Sequence, residues 1–292
     1  MIRPNYIGDT MNILVTGGAG FVGTNLIKRL VKDGHNVVSI DNYSTGKEEN
    51  HQEGCQYVKA DIRDIINYDT FMENPDVVYH LAALPRIQPS FEYPALTLEV
   101  GIMATMSILE WAREKKCKVI YAGSSSVHSG KYKNPYTFSK VIGDELCMMY
   151  KKIYDVDVSV CRFYNVYGPH QLTEGDYCTV VGIFEKQYEE GVELTITGDG
   201  FQRRDFTHVD DIVEGIILTA DCETSYDFIE LGRGKNHSIN DLAKMFDCGF
   251  TYIPERPGEA RETLCDISEA KEKIGYEPKV NLEDYISGIK KV

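Results

Sequence analysis

The 292-residue sequence has no apolar run that approaches the roughly 18 residues of a membrane span. Its first ten residues are polar and contain no apolar core, so we predict no signal peptide and no membrane partner. Positive charge is also scarce, because 31 Lys and Arg residues stand against 45 Asp and Glu residues. The resulting net charge of −14 would repel a phosphate backbone, which predicts that nucleic acid is not a partner.

The eight cysteines are scattered, and no two of them form a C-x-x-C pair. In a chain of this length, such spacing indicates free thiols in a reducing compartment and predicts a cytoplasmic protein. We predict no metal site. A hydrophobic content of 42% and a charged content of 26% are typical of a globular protein, and the length allows one large α/β domain with a smaller lobe.

Short apolar runs alternate with helical stretches through the first half of the chain. The runs that predict strands are 12–16, 37–40, 57–60, 77–80, 119–122 and 158–163. The main helical stretches are 21–32, 96–115 and 135–154. Strands that alternate with helices predict right-handed crossovers, and hence a Rossmann-type, doubly wound parallel sheet covered on both faces.

The pattern changes after residue 168. Helices are predicted near 177–190, 209–220, 240–246 and 282–291, with short strands at 194–196 and 228–231. We therefore predict a dinucleotide-binding domain over 11–168, with sheet segments returning near 205–232. Residues 169–292 would form a smaller, discontinuous lobe over the carboxyl ends of the strands, where ligands bind in this fold.

A glycine-rich turn joins the first predicted strand to the first predicted helix. Gly17, Gly20 and Gly23 follow the spacing G-x-x-G-x-x-G, which permits a tight turn and a close approach of backbone N–H groups to a pyrophosphate. Asp41 ends the second strand, where a carboxylate accepts a hydrogen bond from a ribose 2′-hydroxyl and repels a 2′-phosphate. These features predict NAD rather than NADP, with Asp61 and Ile62 flanking the adenine.

Tyr136 and Lys140 lie four residues apart in a predicted helix, and therefore on one face of it. A cation beside a phenol lowers its pKa from about 10 toward neutrality, so that the phenolate acts as a base. Ser124 ends the fifth predicted strand, and its hydroxyl can form hydrogen bonds with the Tyr136 phenol and with the substrate oxygen. A Y-x-x-x-K pair alone is common. Together with the glycine turn and Asp41, however, it predicts the oxidation of an alcohol, in which the phenolate removes the hydroxyl proton and the same carbon gives a hydride to the dinucleotide.

Further motifs extend this pattern along nearly the whole chain. They are 16–23 (TGGAGFVG), 41–42 (DN), 61–62 (DI), 80–83 (HLAA), Ser124, Tyr136 with Lys140, 162–169 (RFYNVYGP), 203–211 (RRDFTHVDD) and 256–259 (RPGE). On these motifs the sequence resembles the extended short-chain dehydrogenase/reductases, specifically the NAD-dependent nucleotide-sugar epimerases and dehydratases of the UDP-glucose 4-epimerase type.

The resemblance implies a set of site residues. For catalysis it implies Ser124, Tyr136 and Lys140. For NAD it implies Gly17, Gly20, Phe21, Val22, Gly23, Asp41, Asn42, Asp61, Ile62, Leu81, Ala82, Ala83, Tyr136, Lys140 and Phe163. For a nucleotide sugar, most often a UDP-sugar, it implies Ser124, Ser125, Asn165, Arg204, Arg256, Glu259 and Thr263. It also implies a homodimer that pairs the helices 96–115 and 135–154, with Val141, Ile142, Met148 and Met149 on the shared face.

Dehydratases and decarboxylases of the family carry acidic residues just after the position of Ser124, where this chain has Ser125 and Ser126. This favours oxidation followed by re-reduction, hence a 4-epimerase that acts through a 4-keto sugar on a UDP-hexose or UDP-N-acetylhexosamine. Thr263 is small enough to leave room for an N-acetyl group. The alternatives are a dehydratase with a displaced acid, a decarboxylase, a 2-epimerase or a 4-keto reductase and, less favoured, a non-catalytic dinucleotide-binding protein.

Three features depart from the family pattern. The segment between Ser124 and Tyr136 is short, and Tyr132 is a candidate to replace the missing part of the substrate wall. Gly101 stands where the family has an asparagine that contacts the cofactor. Pro85 stands where a lysine is common.

Overall fold

The structure is a computed structural model that describes residues 9–68, 72–222 and 225–290. The strands are β1 (Asn12–Thr16), β2 (Asn36–Asp41), β3 (Cys55–Lys59), β4 (Val77–His80), β5 (Lys118–Ser124), β6 (Val158–Phe163), β7 (Val166–Tyr167), β8 (Leu194–Thr197), β9 (Arg203–Asp205), β10 (Thr207–His208), β11 (Phe228–Leu231), β12 (Asn236–Ser238) and β13 (Phe250–Ile253). The α-helices are α1 (Phe21–Lys32), α2 (Ile87–Glu92), α3 (Pro94–Leu98), α4 (Thr105–Lys115), α5 (Pro135–Tyr154), α6 (Val180–Glu189), α7 (Val209–Asp221), α8 (Ile239–Phe246), α9 (Ser268–Ile274) and α10 (Leu282–Ile289).

The predicted parallel sheet is confirmed. Seven strands pair in the order β11-β6-β5-β4-β1-β2-β3, and every pair in this sheet is parallel. The order reverses between β1 and β4, so the carboxyl ends of these two strands diverge and leave a crevice. That crevice is where a doubly wound sheet binds its ligand.

Two apolar layers cover the sheet, one on each face. On one face, Ile108 and Trp111 of α4 and Cys147 of α5 pack against Leu14 and Val119 of the sheet. On the other face, α1 and α7 pack against the alternate residues of the same strands. Because both faces are buried, the central strands are almost continuously apolar, which is why short apolar runs located them in the sequence.

A third apolar cluster lies in the last part of the chain. Phe184 of α6 packs edge-on against Phe246 of α8 with ring centroids 6.0 Å apart, and Leu242 and Ile286 are buried in the same cluster. β8 and β13 pair in parallel beside it. Ser238 caps α8 as predicted, through a reciprocal pair of bonds with Asp241.

The long helical stretch before β5 is less regular than predicted. It runs from Pro94 to Lys115 as α3, a π-helical segment at Glu99–Ala104, and α4. The most apolar 18-residue window of this stretch has a mean hydropathy of 1.3, so the stretch is long and apolar enough to cross a membrane, although 39% of that window is buried inside the fold. The sequence analysis found no apolar run of this length and so did not predict that this stretch meets the criteria for a membrane span. Trp111, Ile108 and Leu109 are core residues of the stretch.

Most predicted elements are present within one to three residues of their predicted bounds. The sequence analysis missed α2, α9 and the short strands β7, β9, β10, β12 and β13. Three predictions fall partly outside the described residues, namely the polar extension at 1–10, the sheet segments near 205–232 and the end of the last helix at 291.

Candidate active site

One cavity of about 580 Å³ lies at the carboxyl ends of the sheet strands. It brings together residues from both parts of the chain. Every predicted site residue lines it: Gly17, Gly20, Phe21, Val22, Gly23, Asp41, Asn42, Asp61, Ile62, Leu81, Ala82, Ala83, Ser124, Ser125, Tyr136, Lys140, Phe163, Asn165, Arg204, Arg256, Glu259 and Thr263.

The glycine turn is shaped so that no side chain fits inside it. A Cβ on Gly23 would lie 2.2 Å from the carbonyl oxygen of Gly17, and Gly17 has a φ of +74°, where side chains are strained. Gly20 caps α1 without a side-chain hydrogen bond, and the first turn of α1 has no acidic residue. The open N–H groups and the helix dipole therefore face the cavity and fit a pyrophosphate.

Two carboxylates flank this turn. Asp41 accepts hydrogen bonds from the backbone N–H groups of Ala19 at 3.0 Å and Tyr43 at 2.8 Å. Asp61 receives a two-pronged bond from Arg63, at 2.9 Å on each oxygen, and a bond from the Asn42 amide. The Arg63 guanidinium lowers the pKa of Asp61 to about 2, so this carboxylate stays charged.

Tyr136 is in the first turn of α5, whose N-cap Asn134 accepts a bond from the Thr137 N–H at 2.7 Å. Burial raises the pKa of the Tyr136 phenol, while the Ser124 hydroxyl and the Arg86 guanidinium lower it. Ser124, at the end of β5, also donates to the Ser126 hydroxyl at 3.0 Å. The structure thus brings the predicted serine and phenol together.

Lys140 is buried one turn after Tyr136. Its ammonium donates to the Ala122 carbonyl at 2.8 Å and lies 4.9 Å from the centre of the Tyr121 ring. Burial lowers the pKa of Lys140 to about 8, and Asp144 opposes this shift. The predicted lowering of the Tyr136 pKa toward neutrality is not met in the chain by itself, because burial dominates at the phenol. The Lys140 ammonium is directed to the end of β5.

His80 lies beneath this group and is fully bonded. Its Nδ1 lies 2.9 Å from the Thr16 hydroxyl and its Nε2 3.1 Å from the Thr105 hydroxyl. Burial lowers the pKa of His80 to about 3, so the ring stays neutral. It ties β1 and β4 to α4 at the crevice and leaves no nitrogen for catalysis.

At the other end of the cavity, Arg204 of β9 lies 3.4 Å from the Glu259 carboxylate. Burial lowers the pKa of Arg204, while Glu259 raises it. Arg256 is exposed on the adjoining segment at the cavity mouth. Asn165 donates to the Thr263 hydroxyl at 3.1 Å, which fixes both side chains in the wall between the arginines and β6.

The segment 256–259 is anchored through its backbone. Gln88 donates to the Pro257 carbonyl at 2.9 Å, Lys133 to the Glu259 carbonyl at 2.8 Å, and Asn134 to the Gly258 carbonyl at 3.3 Å. The donors belong to α2 and to the residues just before α5. The segment therefore closes the cavity directly above the start of the helix that carries Tyr136.

The structure accounts for one departure from the family pattern and corrects another expectation. A Cβ on Gly101 would lie 2.7 Å from the Cβ and the hydroxyl oxygen of Ser139, so no asparagine fits there. Tyr132 does not replace the missing wall. Its side chain is 82% exposed, stacks on Phe138 and does not line the cavity.

Sequence reasoning missed Arg86, which also lines the cavity. It directly follows Pro85, the position recognised only as a missing lysine. Its backbone has a φ of +123°, which for a residue with a side chain costs about 1–3 kcal/mol. The available signal was its location after the 80–83 motif, at the carboxyl end of β4.

Comparisons with known proteins agree with this geometry. A family model described as the NAD dependent epimerase/dehydratase family matches residues 13–227. The UDP-glucose 4-epimerase of Mycolicibacterium smegmatis is 32% identical, over 95% of this chain and 96% of that protein. A UDP-N-acetyl-α-D-glucosaminuronate decarboxylase of Bacillus cytotoxicus is 29% identical, over 92% and 94%. A Bacillus cereus UDP-glucuronic acid 4-epimerase, solved with UDP-glucuronic acid and NAD, superposes with a TM-score of 0.83 at 31% identity, over 96% and 99%.

The fold and the site define an NAD-dependent enzyme of the short-chain dehydrogenase/reductase type. The chain belongs to the NAD dependent epimerase/dehydratase family, as the resemblance implied. The expectations of this fold class and of NAD as the cofactor are confirmed.

Proposed function

We propose that this enzyme is a UDP-sugar 4-epimerase that acts on a UDP-hexose or UDP-N-acetylhexosamine through a 4-keto intermediate. One observation carries the proposal: the dinucleotide turn, the Ser124–Tyr136–Lys140 group and the Arg204–Glu259 pair all line the same cavity. A binding-only protein needs the turn but not a buried phenol and ammonium beside it. The three relatives described above, which act on UDP-sugars by name, support the substrate class.

The glycine turn and the start of α1 would hold the pyrophosphate of NAD. The remaining oxygen lone pairs of Asp41 suit the adenosine ribose, and Asn42, Asp61 and Ile62 would surround the adenine. The small side chains of Ala82 and Ala83 leave room for the nicotinamide ring. When bound, NAD⁺ supplies a hydride acceptor beside the sugar.

Tyr136 would take the proton from the C4 hydroxyl of the sugar. Ser124 holds the same oxygen by a hydrogen bond, and its hydroxyl already lowers the pKa of the phenol. Lys140, one helical turn after Tyr136, would bond the ribose of the cofactor, and its positive charge would favour the phenolate as it forms. The phenol returns the proton when the hydroxyl is re-formed on the opposite face.

The diphosphate would stay bound while the sugar turns over. Arg204 and Arg256 offer guanidinium groups that match phosphate oxygens. Asn165 lines the cavity with them, and its amide nitrogen donates to the Asp205 carbonyl and the Thr263 hydroxyl, so it would have to exchange one of these bonds to reach a phosphate. These residues come from three separate segments, so the anchor does not depend on the position of the ring. An anchor at one end with free rotation at the other is what a change of face at C4 requires.

The side chains after Ser124 favour epimerisation over elimination. Ser125 and Ser126 line the cavity where dehydratases and decarboxylases of the resemblance have acids. Hydroxyl groups at this point hydrogen-bond a sugar but do not protonate a leaving group. A decarboxylase is the second candidate, because a relative with that name matches over nearly the full chain.

Incubation with UDP-glucose, UDP-GlcNAc and UDP-glucuronate, and with GDP- and dTDP-sugars, tests the proposal. The purified protein receives no added cofactor, and NMR resolves the products. We expect the C4 epimer of at least one UDP-sugar. Loss of water or carbon dioxide, or turnover only with stoichiometric NADH, would replace the epimerase by a dehydratase, a decarboxylase or a reductase. Negligible turnover of UDP-GlcNAc beside UDP-glucose would remove the argument from Thr263.

Arg204→Met is expected to raise KM for the UDP-sugar roughly 30- to 100-fold, because one partner of a buried charge pair with the diphosphate is lost. The kcat should change only a few-fold, since the phenol is untouched. Arg261→Met is the matched control, because Arg261 is 61% exposed, pairs with Asp199 and is outside the cavity lining. Steady-state kinetics that show a lower kcat at unchanged KM would contradict the phosphate role.

We also propose a cytoplasmic homodimer. All eight cysteines are free thiols in the structure. Leu96 and Met103, on the stretch from Pro94 to Lys115, and Met149 and Ile153 of α5 are large apolar side chains exposed to solvent. They suit pairing of these helices with a second copy. Met148, expected on that face, is instead 8% exposed and packs in the core, because it points to α4 rather than outward.

The division into 11–168 and 169–292 also stays a proposal. It is supported by the third apolar cluster, whose members come from Tyr167 onward, and by the return of β11 to the edge of the main sheet. The proposed homodimer is tested separately, by light scattering on the purified protein, which measures the oligomeric state.

A further inference from the structure

Neither the proposed diphosphate anchor nor the catalytic group uses the guanidinium of Arg86, and unlike Arg63 of the same cavity it pairs with no carboxylate among the described residues. Arg86 precedes α2 and lines the cavity beside Tyr136, whose phenol it influences electrostatically. Its φ of +123° is in a region that residues with side chains rarely adopt. Strained backbone of this kind is retained where a side chain must be held in one place.

The guanidinium has few partners of its own. Its Nε donates to the Tyr177 carbonyl at 2.9 Å. Among residues 9–68, 72–222 and 225–290, no carboxylate forms an ion pair with it, and no hydrogen bond from its terminal nitrogens is found. Its neighbours are the Tyr136 phenol, the Cys178 thiol and, by charge, Glu259, which already pairs with Arg204.

Burial lowers the pKa of Arg86, and the three neighbouring groups only partly offset this shift. The pKa of the Cys178 thiol is raised by burial, so the thiol contributes no charge. A desolvated guanidinium without a counter-ion is unfavourable, whereas one that receives a two-oxygen anion is stabilised. The side chain is therefore incomplete until an anionic group of a ligand reaches it.

We propose that Arg86 binds a carboxylate on the hexose ring, so that the preferred substrate is a nucleotide-linked uronic acid. This inference rests on the 4-epimerase reaction of the proposed function and replaces its hexose or N-acetylhexosamine by a hexuronic acid. Tyr136 must reach the oxygen on C4, and the C6 carboxylate of a uronic acid is attached to the adjacent carbon, C5. A cation next to the phenol is thus within reach of that carboxylate, while Arg204 and Arg256 occupy separate elements at the diphosphate end.

The neighbouring groups fit this assignment. The same cavity is lined by Ser124, Ser125 and Ser126, whose hydroxyls are donors to a carboxylate. The planar guanidinium matches the two carboxylate oxygens in a way that an ammonium does not. The β-phosphate of the substrate is the other anion that Arg86 could meet, and the experiment separates the two.

The test measures kcat/KM of the NAD-loaded enzyme for UDP-glucuronate and UDP-glucose. We expect the wild type to prefer UDP-glucuronate, and Arg86→Met to lower kcat/KM for that substrate about 100-fold, as for loss of one partner of a buried charge pair, with a much smaller loss for UDP-glucose. Arg86→Lys should recover part of the loss. Arg29→Met is the matched control. Arg29, on α1, pairs with Asp33 and with Glu214 of α7 and is outside the cavity lining.

Equal losses for the two substrates would overturn the inference in favour of the β-phosphate. A kcat/KM for UDP-glucuronate that Arg86→Met leaves unchanged, or a wild-type enzyme that prefers UDP-glucose, would overturn the inference as well. If Arg86→Met does not fold, the wild-type preference and the Arg86→Lys variant decide the question.

Failure of the proposed function gives different results. If UDP-glucuronate loses carbon dioxide or water, the epimerase is excluded, while the selective effect of Arg86 is still measured as substrate consumption. If nothing turns over, calorimetric titration of the NAD-loaded wild type and Arg86→Met with both UDP-sugars decides whether Arg86 recognises the carboxylate. Equal affinities of the wild type for UDP-glucuronate and UDP-glucose would then refute recognition of the carboxylate by Arg86.

Discussion

Tyr136→Phe is expected to lower kcat about 1,000-fold, in the middle of the range for loss of a general base. The substitution removes one oxygen atom and keeps the ring that packs at the start of α5, so KM and bound NAD should change little. Without the phenol, no described side chain of the cavity is positioned to take the C4 proton, because Ser124 has no base of its own and His80 is fully bonded.

The measurement is kcat from NMR progress curves on protein whose NAD content has been determined by absorbance. Tyr132→Phe is the matched control, since Tyr132 lies four residues before Tyr136 and is 82% exposed. It should retain wild-type kcat. A Tyr136→Phe enzyme that keeps more than about a tenth of the wild-type kcat would contradict the general-base role.

Lys140→Met is expected to have two opposite effects. Activity should fall about 100-fold, because the cation below the phenol and the ribose contact are both lost. The folded state should nevertheless become more stable at pH 7. Burial lowers the pKa of Lys140 from 10.5 to about 8, which is a cost of roughly 3 kcal/mol to keep the ammonium charged. The Ala122 carbonyl loses its donor, which costs about 1–3 kcal/mol, so the net gain is on the order of 1 kcal/mol.

The pH dependence of this gain follows from the direction of the shift. Between about pH 8 and 10.5, Lys140 is neutral in the folded wild type and still protonated in the unfolded chain. The unfolded state then binds more protons, so wild-type stability rises with pH in this window and the advantage of methionine disappears.

Urea unfolding at pH 7 and pH 10 measures this, after removal of bound nucleotide from both proteins. Lys152→Met on the same helix is the matched control, because Lys152 is exposed. A Lys140→Met protein that is less stable than wild type at pH 7 would show that the Ala122 bond outweighs the buried charge.

The sequence predicted the sheet and the site residues for physical reasons. A strand buried on both faces is an apolar run, so β1 and β4 were located to the residue. A dinucleotide turn needs glycine where backbone atoms approach closely, as the 2.2 Å clash at Gly23 shows. Asp41 and Ser124 end strands, and residues at the carboxyl ends of parallel strands meet at one edge of the sheet.

The remaining features depend on tertiary contacts. The direction of the Lys140 side chain depends on the Ala122 carbonyl, and the raised pKa of Tyr136 depends on burial of the phenol, so the spacing of the two residues alone did not predict either. Met148 follows a helical pattern that fits either a core or a surface. Arg86 lacks a periodic or spacing signal, and its environment is set by Tyr177 and Tyr136, which come from other parts of the chain.

The segment 256–259, which forms the roof of the cavity, is held by its main chain at three points, in addition to the Arg204–Glu259 pair. Gln88, Lys133 and Asn134 bond to carbonyl oxygens of 257–259, and a carbonyl is present whatever the residue. The exposed side chain of Arg256 is therefore free to change while the closure above the sugar is preserved. During evolution, a change of nucleotide preference through the Arg256 side chain would leave the scaffold that holds the catalytic helix in place.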